Sequence, residues 1–542
     1  MKKNTISNIL KITHLIIDQN FIIMRRILSN GLFMATLLLV GISSCKKDPV
    51  IVKASGVTLD QSTAIVRIGT PLKLTASIAP FDATDKTMTW TTMDAAVATV
   101  AADGTVSGVA TGTTDISVTT TDGLFTSKCT VTIFAASGST IELTGNITSN
   151  ITLKSDINYV LNGWVYVKSP ATITIEAGTV IKGKTDTKAS LVIERGAKIM
   201  AEGTAAKPII FTSAKAAGAR AAGDWGGVVL CGNAKINVAG GEAEIEGGLG
   251  TKYGGNDDND NSGTMKYVRI EFAGYAFAPD KEINGLTFGG VGKGTTIDYI
   301  QVSFANDDSY EWFGGTVNCK HLIAFSGLDD EFDTDYGFSG FVQYIVGLRD
   351  PMIADISKSN GFESDNDGSG SSNIPTTNPR FANVSLYGPL ATPTTTINPL
   401  FQASMHIRRK SKLEVYNSVF AGWPMGLLLA DAKGNGSPDA QVKGCILSGM
   451  TDNFGGNTAG EQAFFTDAAR INRTIAANTD LKVTNPFNLT APNFLPLTGS
   501  PLLTGAATGL PAGLDATDYI GAFKDVDWTT GWANWTPKTT VY

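Results

Sequence analysis

One strand is written three times in the middle of this chain. "YVRIEFAG" (267–274), "YIQVSFAN" (299–306) and "HLIAFSG" (321–327) follow one another at intervals of 32 and 22 residues. "VYNSVFAG" (415–422) and "VKGCILSG" (442–449) continue the style, and "ATITIEAGTVIKG" (171–183) superposes on "SLVIERGAKIMAEG" (190–203) at an offset of 18, Ile175 on Ile193. Short strands recurring at an irregular period, separated by Gly and Asn turns, are what a parallel solenoid requires, because each coil lays its strand on the one before. Inward Val, Ile and Phe then form continuous stacks. A sandwich has no need of the same strand every few tens of residues.

Residues 55–135 have another texture. "PLKLTASIAP", "MTWTT" and "SKCTVTIF" alternate apolar and polar positions, and Asp103-Gly104 and Asp122-Gly123 mark turns between such runs, the sign of half-buried antiparallel strands in a small sandwich. With Pro80, Trp90, Gly104, Gly108 and Gly112 in place, this unit resembles the bacterial Ig-like group 2 domain. That resemblance implies display or adhesion rather than catalysis. Residues 140–490 resemble the right-handed parallel β-helix proteins, the fold of pectate lyases and polygalacturonases, and within that fold a group of bacterial surface lipoproteins often mislabelled as multidrug transporters. "NGWVYV", "GDWGGVVLCG", "NGLTFGGVG" and "NDDSYEWFGGTVNCKHL" carry the likeness. Residues 491–542 leave the coil pattern and are expected to cap the open end, since a bare sheet edge invites aggregation. The expected class is all-β: a small Ig-like β-sandwich followed by a right-handed parallel β-helix solenoid.

The leader sets the compartment. "MRRILSNGLFMATLLLVGISSC" (24–45) joins two arginines to the apolar run Gly31–Ile42 and a small-residue stretch before Cys45. That run is shorter than the ~20 residues a membrane span needs but fits a signal-peptide core. "ISSC" resembles a lipobox, which implies lipidation of Cys45, with residues 1–45 as signal (Met24 as the true start) and 46–54 as tether. Two acyl-type signals anchor a protein where one does not. The expectation is an exported lipoprotein at the outer membrane or cell surface, touching the membrane through its lipid only. No second run of the ~18 apolar residues a transporter would need exists.

The chain has 542 residues, 42% of them hydrophobic and 17% charged, with a net charge of -7. The core can therefore be large, and an acidic chain without a basic stripe has no nucleic-acid face. Cys129, Cys231, Cys319 and Cys445 are widely spaced, which excludes a zinc ribbon and makes each a small buried hydrophobe.

Against that low charge stands "SGLDDEFDTDYG" (326–337), with Asp329, Asp330, Glu331, Asp333 and Asp335. Asp307-Asp308 lie 22 residues before Asp329-Asp330, and Arg349-Asp350 lie 20 residues after. One coil apart in sequence means neighbours in space, so the carboxylates would climb one edge. At about 5 Å and an effective dielectric near 20 each adjacent pair repels by ~3 kcal/mol, and protons, a cation, solvent or Arg349 must offset it. Three chemistries follow. Asp308 with Asp329 and Asp330 imitates the acid and base of polygalacturonases, although the histidine their pattern needs on the next coil is absent, and His406 in "MHIRRK" lies two to three rungs on, about 10–17 Å away. A Ca2+-dependent lyase would use the aspartates for the metal and Arg349 as base. Binding without turnover would use Asp307, Asp308, Asp329, Asp330, Asp333 and Asp335 for Ca2+, together with two D-x-D-x-S-G loops, Asp258 with Asp260 and Asp365 with Asp367, whose alternate oxygens and sharp Gly turn suit a hard cation. Tyr310, Trp312 and Tyr336 beside the acids would stack on sugar faces. The expectation is adhesion to a polysaccharide, extracellular-matrix or cell-surface ligand through an acidic and aromatic face. A polysaccharide-degrading glycoside hydrolase or lyase is the alternative.

Overall fold

The computed structural model describes residues 50–134, 138–278, 281–430, 436–455 and 459–542. The chain divides into two compact units, the second beginning at Ser137. Cys45, expected to be lipidated, lies outside the described residues.

In the first unit, strands Thr63–Arg67, Thr126–Phe134, Gly112–Thr120 and Met88–Thr92 form one sheet, and Leu72–Lys73, Thr105–Gly108 and Ala98–Val100 another. Their alternate residues meet in a core of Leu74, Val106, Ile116, Cys129 and Val131. Gly104 explains its own presence: it sits at φ +86°, and a Cβ there would lie 2.7 Å from the Trp90 ring, so both the left-handed turn and the packed indole demand glycine. Cys129 is buried and free.

The second unit is a parallel β-helix. Twenty-six strands join in one sheet system, each paired in parallel with the next coil. Val268 pairs with Ile300, Leu322, Ile345 and Val384 in turn, so the intervals of 32 and 22 residues are true coils. The offset of 18 is not: Ile173 pairs with Ile199 and Val167 with Ile193. The two superposed segments there occupy different sheets of the solenoid, alike because each supplies the same inward apolar alternation.

Inside, aromatic rings stack from coil to coil. Phe288 lies 5.3 Å from Trp312, Tyr310 5.3 Å from Phe332, and Phe332 5.6 Å from Phe362.

The C-terminal segment does more than close an end. It runs back along the side of the coils: Ala507 exchanges hydrogen bonds with Asn417, Asp515 with Gln343, Asn534 with Gln301, and the Tyr542 hydroxyl donates to Glu271. Side-chain amides offer a donor and an acceptor together, so each forms a bridge to a strap that has no strand beyond Pro496. The expected cap is thus a lengthwise strap, and its apolar residues Phe494, Ile520, Phe523 and Trp532 bury the outward Phe272, Phe304, Phe325 and Tyr387.

Candidate functional site

Two registers build the site. Strand Tyr310–Phe313 pairs with Phe332–Asp335, and that with Phe362–Ser364. Because side chains alternate along a strand, Tyr310 and Trp312 enter the core while Glu311 points outward, directly over Asp333, Glu363 and then His406. The turn before these strands stacks a second column. Asp308 accepts the Asp330 N–H at 2.9 Å, Asp330 accepts the Asn360 N–H, and Asn360 accepts the Ala403 N–H at 3.1 Å. The aspartates here do what Asn360 does in the next coil, receiving one backbone donor each.

The two columns converge. Asp307, Asp308 and Asp329 bring carboxylate oxygens within 4.8 Å of one another, as do Asp308, Glu311 and Asp333. Asp308, Glu311 and Asp330 are buried, while Asp307, Asp329 and Asp333 keep some accessible surface, so the acids form a largely buried cluster that meets solvent at three of its members. Burial is the first cause that raises their proton affinity, and neighbouring carboxylates the second. Asp308 is raised well above the usual carboxylate range by burial and by Asp307 and Asp330. Asp333 is raised by burial and Glu363, and Glu311 by burial and Glu246. Asp329 is pushed up to about 7, although the Ser357 hydroxyl, 2.6 Å away, works against this. Glu246 faces Glu311, and both hold their protons more tightly than usual, chiefly through burial, so the two ionise in steps that belong to the pair. One oxygen each of Asp329 and Asp333 is buried without a hydrogen-bond partner.

The far end is compensated. Burial would raise Glu363, yet His406 and Arg408 hold it below the usual range. His406 Nδ1 lies 3.5 Å from Glu363, Arg408 bridges Glu363 and Asp365, and Arg409 reaches Asp365 at 2.7 Å. His406 stands two rungs beyond the aspartates; Glu363 occupies the rung between and joins it to them.

Several expected site residues have other tasks. Arg349 is not over the aspartates: the coil after Asp330 brings Asn360 into register, 30 residues on. The Arg349 side chain is fully buried, paired with Glu331 at 3.0 Å and donating to the Asp329 and Leu328 carbonyls, so it braces the turn and cannot serve as a base. Tyr310 and Trp312 are 0% exposed and belong to the core stack, which removes them from any sugar platform. Tyr336 remains half-buried, 5.9 Å from the Phe313 ring. Among the described residues, neither D-x-D loop gathers three carboxylates close enough for a metal. Asp258 pairs with Lys235, and Asp260 accepts from Asn233 and Ser262. Asp365 is bound by two arginines. Burial would raise Asp367, but Ser369 and Ser371 outweigh it and hold the carboxyl at about 2, a closed turn satisfied by its own donors. Asp335 accepts the Tyr336 N–H at 2.6 Å, and burial raises it.

Sequence reasoning passed over Glu311, Glu363 and Glu246. The first was within reach, since the offset of 22 that joins Asp308 to Asp330 also joins Glu311 to Asp333. Glu246 had no signal; it arrives on an excursion of the chain between coils.

Comparison with known proteins agrees with this architecture. The pectate-lyase-like β-helix domain family matches residues 145–493, and the bacterial Ig-like domain, group 2, matches 53–131. An Ig-like virion protein of Serratia phage KSP90 is 44% identical over 84 residues, 15% of this chain and 33% of that protein. An α-L-arabinofuranosidase of Bifidobacterium longum subsp. longum is 43% identical over 84 residues, 16% of this chain and 8% of that protein. The chain thus spans a third or less of these relatives. No helix among the described residues is long and apolar enough to cross a membrane. The chain belongs to the pectate-lyase-like β-helix family and carries a group 2 bacterial Ig-like domain ahead of its solenoid.

Proposed function

We propose that this protein cleaves a polysaccharide outside the cell, with the Asp308, Glu311 and Asp333 cluster as its hydrolytic centre. The observation that carries the reading is the convergence of three carboxyls, one oxygen of each within 4.8 Å of the others, in an environment that keeps some of them protonated. Glycoside hydrolysis needs one carboxyl as an acid and another as an anion, and closely spaced pairs suit the double-displacement route. Glu311, which faces Glu246 and holds its proton tightly, is the acid that protonates the departing oxygen. Asp308, held by the Asp330 N–H, attacks the sugar carbon in its ionised form, and water then releases the product as Glu311 takes back a proton. Adhesion alone loses support with the burial of Tyr310 and Trp312, since a binding platform needs exposed rings. The test is product release from a polysaccharide panel by the wild type and by Glu311→Gln; retention of glycan with no product from any member would return the protein to a purely binding role.

The two groupings that share Asp308 favour one further reading. All their donors are hard oxygens, the type Ca2+ selects, and the uncompensated oxygens of Asp329 and Asp333 would complete such a site. A rise in melting temperature on adding Ca2+, abolished in Asp308→Asn, would support it. The signal and Cys45 support export and lipid anchoring, for which the readout is palmitate incorporation in the host, lost in Cys45→Ala.

A further inference from the structure

The acid cluster lacks donors, and this bears on the sugar it accepts. Asn284 precedes its strand as Asp308 precedes the next and is fully buried, with its amide set against Glu311 and, at 3.3 Å, Glu246. The amide nitrogen serves both carboxyls, while Asn284 Oδ1 is buried with no donor at all. An acceptor left dry costs on the order of 1–3 kcal/mol, and two coils on one oxygen each of Asp329 and Asp333 is in the same condition. Every such atom in the cluster seeks a hydrogen-bond donor. The cations of the neighbourhood do not relieve it, because Arg408 and Arg409 are engaged by Glu363 and Asp365, and Arg349 by Glu331.

We infer that the cluster admits a glycan whose sugar at this position is neutral or carries an amine, and that it rejects uronate-bearing chains. Hydroxyl and ammonium groups bring donors to the carboxyls of Asp307, Asp329 and Asp333, which keep accessible surface. A uronate carboxylate brings only acceptors and a like charge into a poorly solvated site, where such a juxtaposition is a strong means of discrimination. The inference deepens the hydrolytic reading and rests on it for the identity of the site, but its readout is binding. It departs from what the fold alone would suggest, since nothing in the cluster is built to hold an acidic sugar.

The experiment compares retention of three oligosaccharide sets on the immobilised full chain: amino-sugar (chitosan), neutral (arabinan, xylan and glucan), and oligogalacturonate, each in chelator and with Ca2+. The expected order is amino-sugar, then neutral, with uronate weaker by about tenfold or more. Added salt should narrow the uronate gap in the wild type by screening, which needs no variant that folds. Asp333→Asn should narrow it further. Oligogalacturonate held as well as the neutral set, in chelator or only once Ca2+ is added, would overturn the inference alone. The expected order without any product release would overturn the hydrolase and leave the inference standing; retention of none of the three would end both.

Discussion

Tyr267, Tyr299, His321 and Tyr344 stack ring on ring along one outer edge of the solenoid, at 4.4, 4.2 and 5.1 Å, while Glu311, Asp333 and Glu363 stack carboxyl on carboxyl along another. The same rule, one coil above the last, makes both columns. Their surroundings differ. The C-terminal strap completes the ring column, with Trp528 edge-on to His321 at 5.1 Å and Trp532 edge-on to Tyr299 at 5.9 Å, while Asp298 of the coil itself lies against His321 at 2.7 Å. The acid column has His406 and Arg408 at its Glu363 end and the Asn284 amide at its Glu311 end. A stack that its neighbours complete is scaffold, and a stack left short of donors is where a ligand has something to contribute.

The largest way to probe this contrast is at the brace beneath the acids. Arg349→Met leaves Glu331 buried without its partner and should cost about 3–5 kcal/mol in urea unfolding; a cost under ~1 kcal/mol would mean the pair does not hold the turn. Glu311→Gln should act oppositely, folding at least as stably as the wild type because a repelled charge is gone, yet lowering product release by about 10²–10⁴-fold. Instability with full activity would make Glu311 scaffold and erase the contrast.

Proton linkage separates the columns as well. Asp308, Glu311, Asp329 and Asp333 bind protons more tightly folded than unfolded, chiefly through burial. Between the unfolded carboxylate range near 4 and the folded value of about 7 for Asp329, the native state holds more protons, so these groups lower stability as pH rises. The melting temperature should therefore be higher at pH 5 than at pH 8, by a gap that shrinks in Asp333→Asn; an unchanged gap would place its source elsewhere. In the ring column, Tyr299→Leu should cost about 0.5–1.5 kcal/mol beyond the lost area, with glycan retention unmoved. The smallest effect belongs to the strap's exposed bridge: Asp515→Asn, freeing Lys320 at 2.7 Å, should cost less than ~1 kcal/mol and less still in salt.

The repeated "YVRIEFAG" strands, the Ig-like unit with Trp90 and Gly104, and the adjacency of Asp308 and Asp330 were all legible in the order of residues, because a strand period of two and a coil period near 22 leave little choice of which side chains face the core. Where the chain departs from an even coil, that reading slipped. Arg349 was counted one coil after Asp330, yet a coil of 30 residues intervened and put Asn360 there, and no local signal announces an extra eight residues of loop. Tyr310 and Trp312 looked like neighbours of the acids in sequence, and are, but the pleat turns them inward.

Sequence alone determined the solenoid, its Ig-like companion and the presence of an acid row, since these follow from alternation and recurrence along one dimension. Tertiary structure alone decided which acids meet. Glu246 reaches Glu311 from an excursion of the chain, Arg408 reaches Glu363 from the next coil across the long loop between them, and the strap covers one edge and leaves the other, because contacts between coils depend on loop lengths and excursions that no periodicity encodes.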